Sequence, residues 1–270
     1  MVQITEDITT WASSLAGIWP GLEVITLPST GSTNNWLREH RAQVEGRTCL
    51  LMTDFQTAGR GSGTNHWESQ EGMNLTFSLQ VCPTDLPASR MFALSEVMSL
   101  GVSRGLEEAL SAEGGLAHGH FHIKWPNDVY YRDGKVCGML IENDLQGKRV
   151  ERSVMGVGIN VNQDCFVSDA PNPMSLRQIA GHEFARAGVL ASVLASTRLC
   201  LEMMEHGAYD DLYALYLGHV YRWREWHRFT DQGGTFEGMI SNIEPDGHLV
   251  VQDRAGQKRR YAFGEIKYVI

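Results

Sequence analysis

The order of apolar patterns constrains the fold of this chain more than any other feature. Residues 22–27 alternate like a strand, and 48–53 and 74–81 are further β-prone runs. Apolar residues then recur at helical spacing over 88–110 (Met91, Leu94, Val97, Met98), which predicts one long core helix ending before Gly114-Gly115. Four strand-like segments follow with no helix between them, at 121–125, 129–131, 136–142 and 154–162, and helices return at 192–205 and 210–226. Strict βαβ alternation would dictate a parallel, doubly wound sheet. The mixed order instead predicts an α+β unit, a mixed sheet backed by helices.

From Gly234 the character changes. Short β-prone runs at 235–243, 247–252 and 259–263 are separated by Pro245-Asp246-Gly247 and Arg254-Ala255-Gly256, both turn signatures. We therefore expect two units, residues 1–228 and a small all-β unit over 229–270. Within the first, residues 1–20 read as a short amphipathic extension whose helix ends before Pro20.

Composition excludes several function classes. A formal charge of −9 opposes broad nucleic-acid binding, and the one basic run, Lys258-Arg259-Arg260, reads as a solvated strand edge. No stretch of 18 apolar residues predicts a membrane span. The start, with Glu6 and Asp7, lacks the basic-then-apolar order of a signal peptide, so a cytoplasmic location is expected. The five cysteines (Cys49, Cys82, Cys137, Cys165, Cys200) are odd in number and scattered without a C-x-x-C pair, which predicts buried, reduced thiols.

Five blocks carry chemistry, in this order: Ser32-Thr33-Asn34, Gln56-Thr57-Ala58-Gly59-Arg60-Gly61, Lys124-Trp125-Pro126-Asn127-Asp128, Lys135-Val136-Cys137-Gly138, and Gly156-Val157-Gly158-Ile159-Asn160. Taken together they resemble the biotin protein ligases. The resemblance implies a mixed-sheet catalytic domain of the class II synthetase type with a C-terminal SH3-like barrel, for which Phe263-Gly264-Glu265-Ile266 is a further match. It implies ATP and biotin as substrates with Mg²⁺, and a biotin carboxyl carrier protein as acceptor. Only 31 residues precede Ser32, so the expected type is monofunctional, with no N-terminal DNA-binding domain; a homodimer is left open.

The implied reaction sets physical demands that the residues can be checked against. Joining a carboxylate to a phosphate requires fixed positive charge, and Arg60, Lys124 and Lys135 match the family's catalytic cations. Biotin's ureido ring requires neutral donors and acceptors, which Ser32, Thr33, Asn34 and Gln56 supply. Gly59, Gly61, Ser62, Lys135 and Gly138 complete the biotin side, with the glycines allowing close backbone approach. Trp67, Lys124, Asn127 and Asn160 are the implied ATP contacts. Mg²⁺ would be held by phosphates and water, so no protein metal ligand is assigned. Glu142 and Asp128 are candidate partners for the lysines, and Ser32 is also a natural helix cap. His118, His120 and His122 have strand-face spacing; a polar edge is the plainer reading than a metal site.

The chain departs from many relatives at Ser62 and Asn65, where arginines are usual. The length to Trp67 is kept, so the loop should close, with less charge to hold an adenylate. Alternatives are a lipoate or octanoate ligase of the same superfamily, or a biotin sensor without catalysis.

Overall fold

A computed structural model describes residues 7–112, 121–167 and 171–270. After a one-turn 3₁₀ segment capped by Asp7, helix α1 (Ala12–Ile18) ends just before Pro20, as the sequence predicts. Strand β1 (Glu23–Thr30) leads into α2 (Thr33–Glu39), and β2 (Cys49–Gln56) and β3 (Leu75–Val81) follow. The long helix is α3 (Ala93–Ala112), preceded by a 3₁₀ turn at Ala88–Arg90; its expected glycine stop lies outside the described residues. Strands β4 (Phe121–Lys124), β5 (Asp128–Tyr131), β6 (Gly134–Gln146) and β7 (Arg149–Ile159) come next.

These seven strands form one sheet in the order β1-β2-β3-β7-β6-β5-β4, parallel only between β1 and β2. One face carries the main core, where α3 packs along α5 (Arg186–Glu205). On the other face α2 covers a small cluster of Leu37, Val44, Cys49, Leu51 and Val154. The two clusters divide β2 with period two: Leu50 and Met52 face the helices, Cys49 and Leu51 face α2. Burial on both faces is why this strand reads as a continuous apolar run. Helix α5 is by length and composition apolar enough to span a bilayer, yet half of that stretch is buried within the protein.

The structure corrects several expectations. Strands β6 and β7 make one long hairpin whose turn includes Gly147 at φ 62°, extending well past the predicted segments. A short helix α4 (Leu176–Ala180) was not predicted, although Ser175 and Gln178 form a capping box visible as Ser-x-x-Gln. Helix α6 (Tyr209–His219) stops seven residues before the predicted end at Trp226. There the Tyr221 N–H donates to the Ile123 carbonyl, and Arg222 and Arg224 take positive φ, so the chain turns into β8 (Trp226–Asp231). Strands β9 (Gly234–Ile243), β10 (Leu249–Asp253), β11 (Lys258–Tyr261) and β12 (Lys267–Tyr268) complete a five-stranded antiparallel sheet ordered β11-β10-β9-β8-β12. The architecture is α+β with a small C-terminal β domain; β8 and β12 had escaped the sequence reading.

The basic run sits on edge strand β11, as expected, and is neutralised: Arg259 pairs with Asp231 and Asp253, Arg260 with Glu244 and Asp246. The thiols are buried at Cys49, Cys137 and Cys200, whereas Cys82 is half-buried and Cys165 exposed, which corrects the expectation of five buried thiols. Burial pushes the Cys49 thiol up to about 12.

Glu96 on α3 is only 5% exposed. Burial raises its carboxyl to about 7, with Arg90 opposing. The folded protein therefore binds this proton more tightly than the unfolded chain. The stability it contributes is full below the unfolded value near 4.5 and is lost as pH rises to about 7. Glu96→Gln should raise stability at pH 8 by on the order of 1–3 kcal/mol and flatten this part of the pH–stability curve. Urea melts of both proteins at pH 5 and 8 check this; equal gains at the two pH values would refute it.

Candidate active site

A cavity of about 900 Å³ opens on the α2 face of the large sheet, roomy enough for an elongated ligand. Ser32, Thr33, Asn34, Gln56, Arg60, Gly61, Ser62, Trp67, Lys124, Asn127, Lys135 and Gly138 all line it. Among the sequence-predicted residues, Gly59 and Asn160 do not.

The start of α2 supplies the neutral wall. Thr33 donates to Gln56 Oε1 from its backbone N–H at 2.8 Å and from its hydroxyl at 3.1 Å. Ser78 Oγ lies 2.7 Å from Thr33 Oγ1 and 2.6 Å from Asn34 Oδ1, so its proton serves two acceptors. Ser32 occupies the N-cap position, as the sequence predicts, but makes no capping bond with its side chain. Asn34 is spent on scaffolding: its Nδ2 donates to the Leu140 carbonyl and to Glu142 Oε2. Its side chain positions α2 over β6 while remaining on the cavity wall.

The glycine-rich loop folds on itself. Gly61 N–H donates to the Asn65 carbonyl at 2.8 Å and Trp67 N–H to the Gly59 carbonyl at 3.0 Å, closing a miniature hairpin. A Cβ on Gly59 would lie 2.6 Å from the Trp67 carbonyl oxygen, so this glycine serves the hairpin rather than the cavity wall. Of the loop glycines 59, 61 and 63, Gly63 takes positive φ, at 64°.

The hairpin delivers Trp67 onto a floor made by two paired strand glycines, Gly138 and Gly158. A Cβ on Gly158 would fall 2.2 Å from Trp67 Cε2, and one on Gly138 would fall 3.0 Å from Cζ3. Glycine inside a strand commonly marks such a close approach. The indole thus lies against the sheet as part of the cavity wall.

The three predicted cations are held differently. Arg60 donates to Asn35 Oδ1 at 2.5 Å and to Glu142 Oε1 at 3.1 Å. Glu142 also accepts from Arg38 at 2.8 Å, so it serves two arginines and Asn34, not the lysines for which it had been suggested. Burial opposes its ionisation, but the bonds from Asn34 and Arg60 and the charges of Arg60 and Arg38 outweigh it, holding the carboxyl below the usual range. Lys135 pairs with Asp128 at 2.8 Å, the partnership the sequence suggested for Asp128. Lys124 has two aromatic neighbours, its Nζ lying 5.2 Å from the Tyr130 ring centroid and 4.9 Å from that of Tyr268. Burial pushes its ammonium below the usual lysine range, with Asp128 opposing and Lys135 and Arg222 adding to the shift.

Two asparagines shape the walls. Asn127 Nδ2 donates to the Met139 carbonyl at 2.7 Å, fixing the turn after Trp125-Pro126, a cis peptide. Asn160 is buried, and its Nδ2 donates to the Lys135 and Met174 carbonyls at 3.3 and 3.2 Å. It steadies the strand that carries Lys135 and does not line the cavity. Of the histidine triplet, His122 sits half-buried on β4, and His118 and His120 lie outside the described residues.

Residues 23–160 match the model of the biotin/lipoate A/B protein ligase family. The chain belongs to that family. It is similar to the bifunctional ligase/repressor BirA of Bacillus subtilis, 34% identical over 251 residues that span 87% of this chain and 70% of the relative. A biotin–[acetyl-CoA-carboxylase] ligase of Mycobacterium tuberculosis is 33% identical over 151 residues, covering 54% of this chain and 51% of the relative. The solved structure of an Aquifex aeolicus biotin protein ligase in complex with biotin and ATP superimposes with a TM-score of 0.74 at 26% identity, over 92% of this chain and 99% of that one. The family match ends at Asn160, yet the cavity of this family member extends further. Phe263, Gly264, Ile266 and Tyr268 line it from the C-terminal sheet, and Tyr130 lines it from β5. Sequence reading missed both tyrosines, because an aromatic on a short strand signals only packing; the turn at 263–266 was the one signal that this segment reaches the site.

Proposed function

We propose that this chain is an ATP-dependent biotin protein ligase. It activates biotin as biotinyl-5′-AMP with release of pyrophosphate, and the amine of a carrier-protein lysine then displaces AMP. One observation carries the reading: a single cavity joins a neutral wall at Thr33 and Gln56, a cationic wall at Lys124 and Lys135, and an indole laid on a glycine floor. The relatives' names and the ligand-bound Aquifex structure support it.

On this reading Thr33 and Gln56 meet the ureido ring and Trp67 packs against adenine. Lys124 and Lys135 hold carboxylate and phosphate together, stabilising charge that develops as the anhydride forms. Arg60 leaves Glu142 to join them when the loop closes. Mg²⁺ brought by ATP would be held by phosphate and water rather than by the protein, because the lining carboxylates are already engaged, Asp128 by Lys135 and Asp133 by Tyr221 and Arg222. Residues 1–225 form the catalytic domain, and the sheet that begins with β8 at Trp226 forms an SH3-like domain that closes over ATP, which moves the boundary expected after residue 228 back to keep β8 whole. The acceptor is a biotin carboxyl carrier domain, and the enzyme works in the cytoplasm without DNA.

The test is ATP–pyrophosphate exchange with Mg²⁺ and biotin, with lipoate and octanoate as parallel acids. Exchange with biotin alone is the expected result; exchange only with lipoate or octanoate would move the chain to the sister ligases. Ser62 adds a second expectation. An arginine there restores a charge-assisted hydrogen bond worth about 1.5–3 kcal/mol, so Ser62→Arg should slow escape of biotinyl-AMP by about tenfold or more. Stopped-flow measurement of adenylate dissociation checks this, and an unchanged off-rate would count against a retention role for this position.

A further inference from the structure

The geometry points to Tyr268, on the last strand, as a positioning residue that fixes the Lys124 ammonium over the cavity in an aromatic cage shared with Tyr130. This inference rests on the ligase reading for its catalytic half and on contacts alone for its structural half.

Lys124 ends β4, at the edge of the large sheet, and no salt bridge is formed by its Nζ among the described residues. What faces it is aromatic. Both ring centroids lie within the reach of a cation–π attraction, at 5.2 Å for Tyr130 and 4.9 Å for Tyr268. Such an attraction strengthens as water is excluded, and this lysine is largely desolvated.

The Tyr268 ring is itself held on several sides. Phe229 of β8 packs edge-on with centroids 5.1 Å apart, and Tyr221 lies at 6.2 Å. Tyr221 in turn lies 5.5 Å from Tyr130, so it packs against both of the rings that face the ammonium. The segment is pinned further: Arg222 donates to the Val269 carbonyl at 2.9 Å, and Tyr221 and Arg222 both bond Asp133. By contrast the Tyr268 hydroxyl is buried without a hydrogen-bond partner. The ring is placed and the hydroxyl is not, which assigns the function to the aromatic face. A four-carbon side chain otherwise samples many rotamers, and a cage that removes them puts the charge where the phosphate arrives.

The C-terminal sheet thereby acts on the first chemical step. Its β12 supplies one face of the cage, and Trp125, the residue after Lys124, is tied to the same sheet by its Nε1–H donating to the Gly247 carbonyl at 2.9 Å.

Five lysines in the chain (Lys124, Lys135, Lys148, Lys258, Lys267) make a direct test practical. Protein labelled with ¹³C at lysine Cε is compared as wild type, Tyr268→Leu and Tyr268→Phe, with Lys124→Arg assigning the signal. In the wild type, ring currents displace the Lys124 methylene from the other four. Tyr268→Leu should return it toward them and lower kcat of biotin-dependent exchange about tenfold, the equivalent of about 1.4 kcal/mol, with KM for biotin little changed. Tyr268→Phe should keep both the displaced signal and the rate. An unmoved Lys124 signal in Tyr268→Leu overturns the cage, and a Phe variant as slow as the Leu variant overturns the role of the ring. Should the leucine variant melt too early to assay, pentafluorophenylalanine at position 268 keeps the shape and inverts the ring's charge distribution. It must then slow exchange, and a normal rate would sink the proposal. If the wild type shows no exchange with any acid, the ligase reading fails, while the lysine spectra still decide the cage.

Discussion

Lys124→Ala should lower biotin-dependent pyrophosphate exchange by roughly 10²–10³-fold, the usual cost of deleting one preorganised electrostatic contact, and should leave the protein folded. The fold survives because Lys124 ends an edge strand: truncation gives up its contacts with Tyr130 and Tyr268 but also removes an ammonium that burial disfavours. Thermal melting should show a midpoint close to that of the wild type. Protonation follows the same logic. A lysine whose ammonium is disfavoured by burial loses its proton at lower pH than an exposed one, so exchange should decline on the alkaline side earlier than an ordinary lysine would dictate. Lys124→Arg, charged throughout, should remove that limb from whatever activity it retains. Normal pyrophosphate release by the alanine variant would remove Lys124 from the catalytic group.

The second large effect is expected at a residue with no functional group. Gly158→Val places a Cβ 2.2 Å from Trp67 Cε2, a separation that no side-chain contact tolerates, so the indole must leave the floor. The strand pairing at this position need not break, since β-branched residues suit a strand. Overpacking should cost about 1–3 kcal/mol of stability. The larger consequence is for binding: ATP affinity should fall by about tenfold or more, as expected when an aromatic stacking partner is lost. Calorimetric titration of ATP into Gly158→Val and into Trp67→Ala separates the causes. Similar losses would locate the effect in the indole, and wild-type affinity in Gly158→Val would show that the floor is dispensable.

The glycines of β6 and β7 also explain what could be read in advance. Gly138, Gly156 and Gly158 stood out as members of chemical blocks, but their physical task appeared only when Trp67 and Asn34 were seen pressed against them. Strand and helix positions could be read wherever burial is uniform, from continuous β-prone runs in β2 and β3 and from helical spacing in α3. They failed where tertiary contacts override local preference. Helix α6 looked longer because no proline interrupts 210–226, yet the Tyr221 N–H is claimed by the Ile123 carbonyl on a strand. Strand β12, two residues long, has no periodicity to detect.

Residue chemistry behaved the same way at the site. The sequence alone determined the α+β class, the family resemblance, and the set of polar and cationic side chains now found around one cavity, because spacing along strands and glycine-rich turns is local information. Tertiary structure alone decided which of them face the cavity and which serve the frame. Asn34 and Asn160 spend their amides on backbone carbonyls, Arg60 rests on Glu142, and Tyr268 reaches Lys124 from the far end of the chain. These outcomes depend on distances between segments more than 20 residues apart, set by strand order within the large sheet and, for Tyr268, by how the second sheet lies against it, and no local pattern in the chain encodes such a distance.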